Sequence, residues 1–252
     1  MGKKAHARAS LADHAYNRIR EKILRGEYKL GAALSRRRIA SQLGMSFLPV
    51  TEAIKKLEQD GLVESRLRVG TRVRIPTAKD IREHFILREA LEVQVARLFA
   101  EKASQIERQE IRRMAAQLDA AMEQAQKPEA DSEVQFQAHM FHLSFHMRIA
   151  ECTACSALCA ALERNQVLVF NWLYDVAAEH RLPQSWHTDL AVVLSGKDVA
   201  AADRAMRAHV GNGIEEIQAR IIRYFSDQSA AFARMSPPHS SDRGWRVKAS
   251  SR

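Results

Sequence analysis

Four histidines carry the first chemical signal in this chain. His142 and His146 stand four apart, so on a helix they project from one face. His187 and His209 follow in later segments, and His139 lies near the first pair. Imidazoles brought from three helices into the core of a bundle make a site for a divalent transition metal. On spacing alone two readings stand, a metal centre or singly buried and surface histidines, because H-x3-H also recurs by chance. Cys152, Cys155 and Cys159 form a second cluster within eight residues. At that helical spacing they read as small packing residues rather than a thiolate site. No glutamate lies between His142 and His146. The H-E-x-x-H arrangement of a metal-dependent hydrolase is therefore missing, which argues against an enzyme.

The elements that would hold these histidines are helical. Amphipathic spacing predicts helices over Asp80–Lys102, Gln105–Gln126, Asp131–Cys152, Cys155–His180, Gln184–Ser195 and Asp198–Phe225. Short breaks at Pro128, Pro183 and Gly196 separate several of them. Six such segments suggest an antiparallel bundle. No apolar run approaches the roughly 20 residues of a membrane span. Met1–Ser10 is basic and no apolar signal-peptide core follows it, so a reduced cytoplasmic setting with free thiols is expected.

The first third has a different character. Net charge is +9 over 252 residues, but residues 1–76 hold 17 of the 39 Lys/Arg and only 7 of the 30 Asp/Glu. That region carries +10 and the remainder −1, which suits a polyanionic partner for the N-terminal part. Leu11–Arg25 reads as a helix closed by Gly26, and Glu27–Ala33 as a connector. Leu34–Val63 then reads helix, tight turn, helix. Ser35 is a candidate N-cap, and Gly44 stops the first helix. Ser46 caps the second, Pro49 falls in its first turn and Gly61 ends it. This is the grammar of a helix-turn-helix that lays its second helix in a major groove. Two strand-like runs flank Gly70. Arg66, Arg68, Arg72 and Arg74 alternate there with Leu67, Val69, Val73 and Ile75, as in a half-buried hairpin, the wing of a winged helix. The expected fold is mainly α. A basic disordered arm (1–10) precedes a winged helix-turn-helix (11–76), an all-helical effector-binding and dimerisation domain (77–230) and a disordered basic tail (231–252).

These residues resemble a known family. Leu34, Ser35, Arg37, Ala40, Leu43, Gly44, Ser46, Pro49, Val50, Glu52, Ala53, Leu57, Gly61, Leu62 and Val63 match the winged-helix pattern of GntR-superfamily transcription regulators. Phe145-His146-x-x-Ile149-Ala150 and His187 … Gly196-x-Asp198 … Met206-x-x-His209 resemble the FCD effector domain of its FadR-type branch. That branch commonly binds a metal through one Asp and three His. The resemblance places the three at His146, His187 and His209, and puts His142 where the Asp would stand. An all-imidazole set keeps the full charge of the ion and suits zinc, nickel or copper better than magnesium or calcium, with zinc or nickel expected. Arg88, in the family's L-R-x-x-L-E signature (Leu87, Arg88, Leu91, Glu92), is placed either on an effector carboxylate or in a salt bridge of the bundle. The expected effector, a small organic acid, would meet Arg88 and the four histidines. The expected DNA contacts are Arg37, Ser46, Phe47, Thr51, Arg66, Arg68, Gly70 and Arg72. Phe47 and Thr51 replace two arginines common in the family, which implies a different operator. The resemblance implies a homodimeric cytoplasmic repressor on a pseudo-palindromic duplex operator, at the nucleoid when bound, with no membrane partner.

Overall fold

The computed structural model describes residues 10–66, 70–177 (backbone only for 167–177) and 183–212, with 219, 220, 222, 223 and 226. The expected N-terminal arm up to Ala9 and the tail after Ser226 lie outside the described residues. The chain opens on α1 (Leu11–Leu24), started by Ser10 and Asp13 in a reciprocal capping box. A two-residue strand, β1 (Ala33–Leu34), follows where the expected connector Glu27–Ala33 meets the helix-turn-helix stretch. Then come α2 (Arg36–Leu43) and α3 (Phe47–Gln59), with Gly44 between them at φ 62°, a conformation that glycine adopts without steric cost. β2 (Val63–Arg66) and β3 (Gly70–Val73) form the wing. The sheet order is β1-β3-β2, all antiparallel, with Val63 opposite Val73 and Arg66 opposite Gly70.

The wing's alternation holds at Thr71 and Val73, which are buried, but Arg74 does not reach outward. Its guanidinium turns to Asp80, 2.7 Å away, at the start of the next helix. That helix, α4 (Ala78–Lys102), begins on a Thr77–Asp80 capping box. α5 (Gln105–Ala125), α6 (Ser132–Glu151), α7 (Ser156–Ala177), α8 (Trp186–Leu194) and α9 (Val199–Gly211) complete the helical bundle. Expected and observed ends agree within a few residues. For the fourth bundle helix the agreement runs to Ala177; the sixth, expected over Asp198–Phe225, ends at Gly211, where Asn212 turns to extended backbone (ψ 120°). Residues 178–182 are outside the described residues, as are most of those after Asn212.

α4 is the central element of the bundle and packs on α9, α7 and α6, while α5 packs on α6 and α8. Phe99, Ile111, Leu118, Phe145, Ile149 and Met206 fill the bundle core. Each fully buried aliphatic or aromatic side chain contributes about 1.5–3 kcal/mol. Two polar devices then set the helices that carry the histidines. Arg148 on α6 grips Glu110 on α5 through both Nε (2.9 Å) and Nη2 (2.7 Å). Arg108 is buried without a carboxylate. It donates instead to the carbonyls of Ala103 (2.9 Å), Ala100 (2.8 Å) and Leu194 (3.1 Å). One guanidinium thus satisfies orphan carbonyls at the C-termini of both α4 and α8.

A second core, around Ile19, Ile23, Val50, Ile54 and Leu57, lies under the helix-turn-helix. Ile81 and Phe85 of α4 and Phe136 of α6 belong to this core. On the surface of the same junction, Arg25 reaches Glu133 at 2.5 Å and lies over the Phe136 ring at 4.1 Å.

Candidate functional site

The four histidines meet in the bundle. His142 and His146 come from α6, His187 from the first turn of α8 and His209 from α9. One ring nitrogen from each lies within 4.8 Å of the others. His146, His187 and His209 are buried, and His142 is partly exposed at the mouth. Among the described residues this is the only cluster of three or more His, Cys, Asp or Glu groups arranged to hold an ion. His139 lies one turn away and turns its Nδ1 to the Gln135 carbonyl at 2.8 Å. The cysteines are free thiols outside the cluster, and burial pushes the Cys152 thiol up to about 11.

Two carboxylates orient the rings from behind. Glu92 of α4 abuts Nδ1 of His146, and the Glu92 carboxylate accepts from Arg88 Nε at 2.7 Å. Asp119 of α5 accepts from His187 Nδ1 at 2.7 Å. Asp119 also takes the backbone N–H groups of His187 (3.0 Å) and Thr188 (2.9 Å), and the Thr188 hydroxyl (2.6 Å). It therefore does the N-capping of α8. Ser185, the residue in the cap position, has a left-handed backbone and makes no side-chain cap bond. This explains why α8 starts at Trp186, two residues after the expected Gln184.

An ionised carboxylate against Nδ1 puts the imidazole proton there and turns the Nε2 lone pair inward, the tautomer a metal needs. Burial alone would raise both acids. The His146 ring and the Arg88 guanidinium beside it overcome it at Glu92, and the hydrogen bonds from His187 and Thr188 overcome it at Asp119, so both carboxyls sit well below their usual range. Burial, then the neighbouring rings, holds His142 and His209 well below the ordinary imidazole value. Burial also lowers His187, against the opposing pull of Asp119. His142, His187 and His209 are thus kept neutral, as ligands must be. His187 Nε2 and His209 Nδ1 are buried without a hydrogen-bond partner, and His142 and His146 approach Nε2 to Nε2 at 2.9 Å. Orphaned inward nitrogens on neutral rings fit a nitrogen-preferring cation. Packing fixes the walls: Trp186 stacks on His209 (centroids 5.0 Å apart, planes 18° apart), and Phe145 stands edge-on to His146 and His187.

Arg88 realises the salt-bridge alternative through its Nε. Its Nη groups have no protein partner among the described residues, and the side chain keeps 15% exposure. Sequence reasoning placed Glu92 only within a signature and missed Asp119, Thr188 and Trp186. Asp119 lies 68 residues from His187 in an ordinary amphipathic helix, so nothing local marks it.

The expected DNA-facing residues divide. Arg37 is exposed on α2, and Phe47, with its neighbour Leu48, is exposed at the start of α3. Ser46 holds the N-cap position but makes no side-chain cap bond, so the expected cap is absent and its hydroxyl is unspent. Thr51 donates its hydroxyl to the Phe47 carbonyl at 2.9 Å, which leaves its methyl as the group to offer a base. Arg66 is exposed and sits 3.2 Å from Glu64. Gly70, at φ 95°, begins β3 at the wing tip, and Arg72 is half-buried on the same strand. Arg68 lies outside the described residues. Arg36 reaches back to the Thr71 hydroxyl at 3.1 Å and ties α2 to the wing.

Residues 11–73 match the family described as bacterial regulatory proteins, gntR family, and residues 83–212, just over half of the chain, match the FCD domain. A relative named a probable D-xylose utilization operon transcriptional repressor, from Paenarthrobacter nicotinovorans, is 43% identical over 93 residues. That match covers 37% of this chain and 41% of the relative. The Escherichia coli repressor RspR is 23% identical over 222 residues, covering 84% of this chain and 92% of its own. Among solved structures, a Rhodococcus sp. RHA1 protein described as a transcriptional regulator GntR superposes with a TM-score of 0.65 at 22% identity, covering 82% of this chain and 97% of that one. E. coli McbR/YncC gives 0.64 at 21% identity over 88% of this chain and all of its own. These likenesses show the fold, an N-terminal winged helix followed by a helical domain. By sequence and by architecture alike, the chain belongs to the GntR family of bacterial regulatory proteins, in the FadR-type branch whose second domain is FCD.

Proposed function

We propose that this protein is a homodimeric, ligand-responsive transcriptional repressor of the bacterial cytoplasm, at the nucleoid when DNA-bound. Its winged helix binds a pseudo-palindromic operator, with α3 in the major groove and Arg37, Ser46, Phe47, Thr51 and the wing residues at the interface. Its bundle binds zinc or nickel through His142, His146, His187 and His209, and a small carboxylate effector beside that ion. When bound, the ion supplies a Lewis-acid centre for a carboxylate oxygen. Glu92 and Asp119 hold the tautomers, and the Nη face of Arg88 receives the effector's negative charge.

One observation carries this reading: four converging imidazoles, two with buried and unpartnered nitrogens, in a chain that also holds a winged helix. The names of the relatives support repression. Enzymatic turnover is not part of the proposal. The carboxylate nearest the cluster, Glu92, is engaged by Arg88 and His146 and is not poised as a base. No helix among the described residues is long and apolar enough to cross a membrane.

The site can act on the DNA-binding end through two rigid elements. α6 carries His142 and His146 and, earlier along its length, Phe136 and Glu133 against Arg25. α4 carries Glu92 and Arg88 and, at its start, Asp80 against Arg74 of the wing. An effector moves the DNA equilibrium only by its differential affinity for the two arrangements.

Metal analysis of protein purified without a histidine tag, paired with operator binding in a panel of small organic acids, tests the reading. The expected result is one zinc or nickel per chain, lost in His146→Ala, and operator release by an acid only in the loaded protein. Absence of stoichiometric metal, with His146→Ala leaving stability and effector response intact, would overturn it.

A further inference from the structure

The start of α3 presents apolar groups where a helix that reads DNA ordinarily presents hydrogen-bond donors. The N-terminal residues of such a helix lie against base edges. Here they run Phe47-Leu48-Pro49-Val50-Thr51-Glu52. Pro49 and Val50 are buried with Ala53, Ile54 and Leu57, which sets Phe47, Leu48 and Thr51 on the other side of the helix. Phe47 keeps 51% exposure and Leu48 66%. Thr51 adds a methyl to this patch, because its hydroxyl proton goes to the Phe47 carbonyl at 2.9 Å. One exposed leucine is ordinary on any protein surface. Three apolar groups at the reading end of a helix are not, since the donors that recognise guanine are missing there. The first Lys, Arg, Asn or Gln of α3 is Lys55, about two turns further on. Glu52, the one charged group before it, only accepts hydrogen bonds when ionised. The cations of this half stand elsewhere, with Arg37 and Arg38 exposed on α2 and a net charge of +10 over residues 1–76. The surface is thus complementary to phosphate around a reading end that is apolar, and the major groove has one apolar group to offer it, the 5-methyl of thymine.

We propose that Phe47, Leu48 and the Thr51 methyl read thymine by its 5-methyl group, so that each operator half-site presents A·T pairs where an arginine would have called for guanine. This rests on the reading of α3 as the helix in the major groove and adds the chemistry of its specificity. The arginines supply affinity that is blind to sequence. The patch discriminates by removing a methyl from water against side chains that are themselves poorly hydrated. A cytosine in the same place lacks the methyl and turns an amino donor toward apolar groups that cannot accept from it.

The test uses the full-length protein. Its operator is selected from a random duplex pool and resynthesised with deoxyuridine for thymidine at one position at a time. That exchange removes a methyl and leaves every hydrogen-bonding group of the base pair in place. At one or more positions in the half-site it is expected to weaken binding roughly three- to fivefold, the effect of one buried methyl. Leu48→Ala should bind the thymidine and deoxyuridine duplexes alike at one of those positions. Phe47→Arg, carried through the same selection, should move a half-site pair toward guanine. A selected operator that tolerates deoxyuridine at every position in the wild-type protein would overturn the methyl readout and leave the repressor reading standing. A penalty that persists unchanged in both variants would overturn its assignment to these residues. No sequence enriched from the pool would overturn both readings. The wild-type comparison needs no variant, so a poorly folding substitution does not blunt it.

Discussion

The two halves of the chain place their polar groups in opposite ways. In the winged helix the buried residues are almost all aliphatic, and Thr71 is the one buried polar side chain among those described. Its charges stand outside, on Arg37, Arg66 and the flanks of α2 and α3. The bundle buries Glu92, Arg108, His146, Thr153, Asn165, Gln166, His187 and His209. A surface that meets a polyanion needs exposed, mobile cations over an apolar core. A pocket that must select one small ligand needs polar groups already desolvated and held, at a cost in stability. The electrostatics of the first half should therefore be sensitive to salt, and those of the second to protons and metal.

Several measurements would sharpen or break this contrast. Glu92→Ala should have the largest effect. It strands Arg88 and frees His146 in the interior, at about 3–5 kcal/mol of stability. Urea unfolding of the metal-free protein reads it, and a change within experimental error would show that the α4 network is not structural. Asp119→Asn keeps the shape of the α8 cap but weakens the grip on the His187 tautomer. Zinc affinity by competitive chelation should fall roughly 10- to 100-fold. Operator affinity without effector should barely change.

Alanine at Arg37 should weaken operator binding and, for a phosphate contact, reduce the magnitude of the logarithmic salt slope by about one. Metal content should not move. An unchanged slope would put the electrostatic footprint elsewhere. Acid should act on the other half. His142, His187 and His209 have folded-state values below the unfolded value of about 6.5, so the unfolded chain takes up protons first. Stability of the metal-free protein is complete above that pH and declines as pH falls below it. Glu92 and Asp119, also lowered, add a further loss below about pH 4. Metal should be released over the histidine window, because protons compete for the same nitrogens. A flat stability profile from pH 7 to about pH 5 would contradict the buried neutral rings.

The smallest effect separates two serines. Ser35 caps α2 through Arg38 N at 3.3 Å, so Ser35→Ala should cost about 1 kcal/mol. Ser46→Ala loses no cap bond and should stay within about 0.5 kcal/mol while still weakening DNA binding.

The legible parts of this molecule were those encoded locally. Gly44, Pro49 and Gly61 mark the helix-turn-helix within thirty residues, and Thr77 with Asp80 marks the start of α4. The His142–His146 spacing was legible for the same reason. The convergence of His187 and His209 came from family resemblance, since periodicity says which face of a helix is apolar but not which helices touch. The supports were hidden in long-range pairings. Asp119 caps α8 from another helix, and Glu92 looks like a charged residue on a mixed face until α6 is laid against it. Strand alternation groups Arg74 with the other wing arginines but cannot see Asp80 of the following helix, which takes its guanidinium. The strand β1 was missed because two residues are too short to show a period.

The core under the helix-turn-helix borrows Ile81 and Phe85 from α4 and Phe136 from α6. A fragment cut at the proline that ends the wing would therefore leave an open hydrophobic face where those side chains belong. Extending it through Phe85 restores two of the three but exposes the rest of α4 as a naked amphipathic stub. The winged helix is thus not a detachable module. Swapping it onto another bundle of the same family would succeed only if the recipient's first helix presents matching side chains at those two positions.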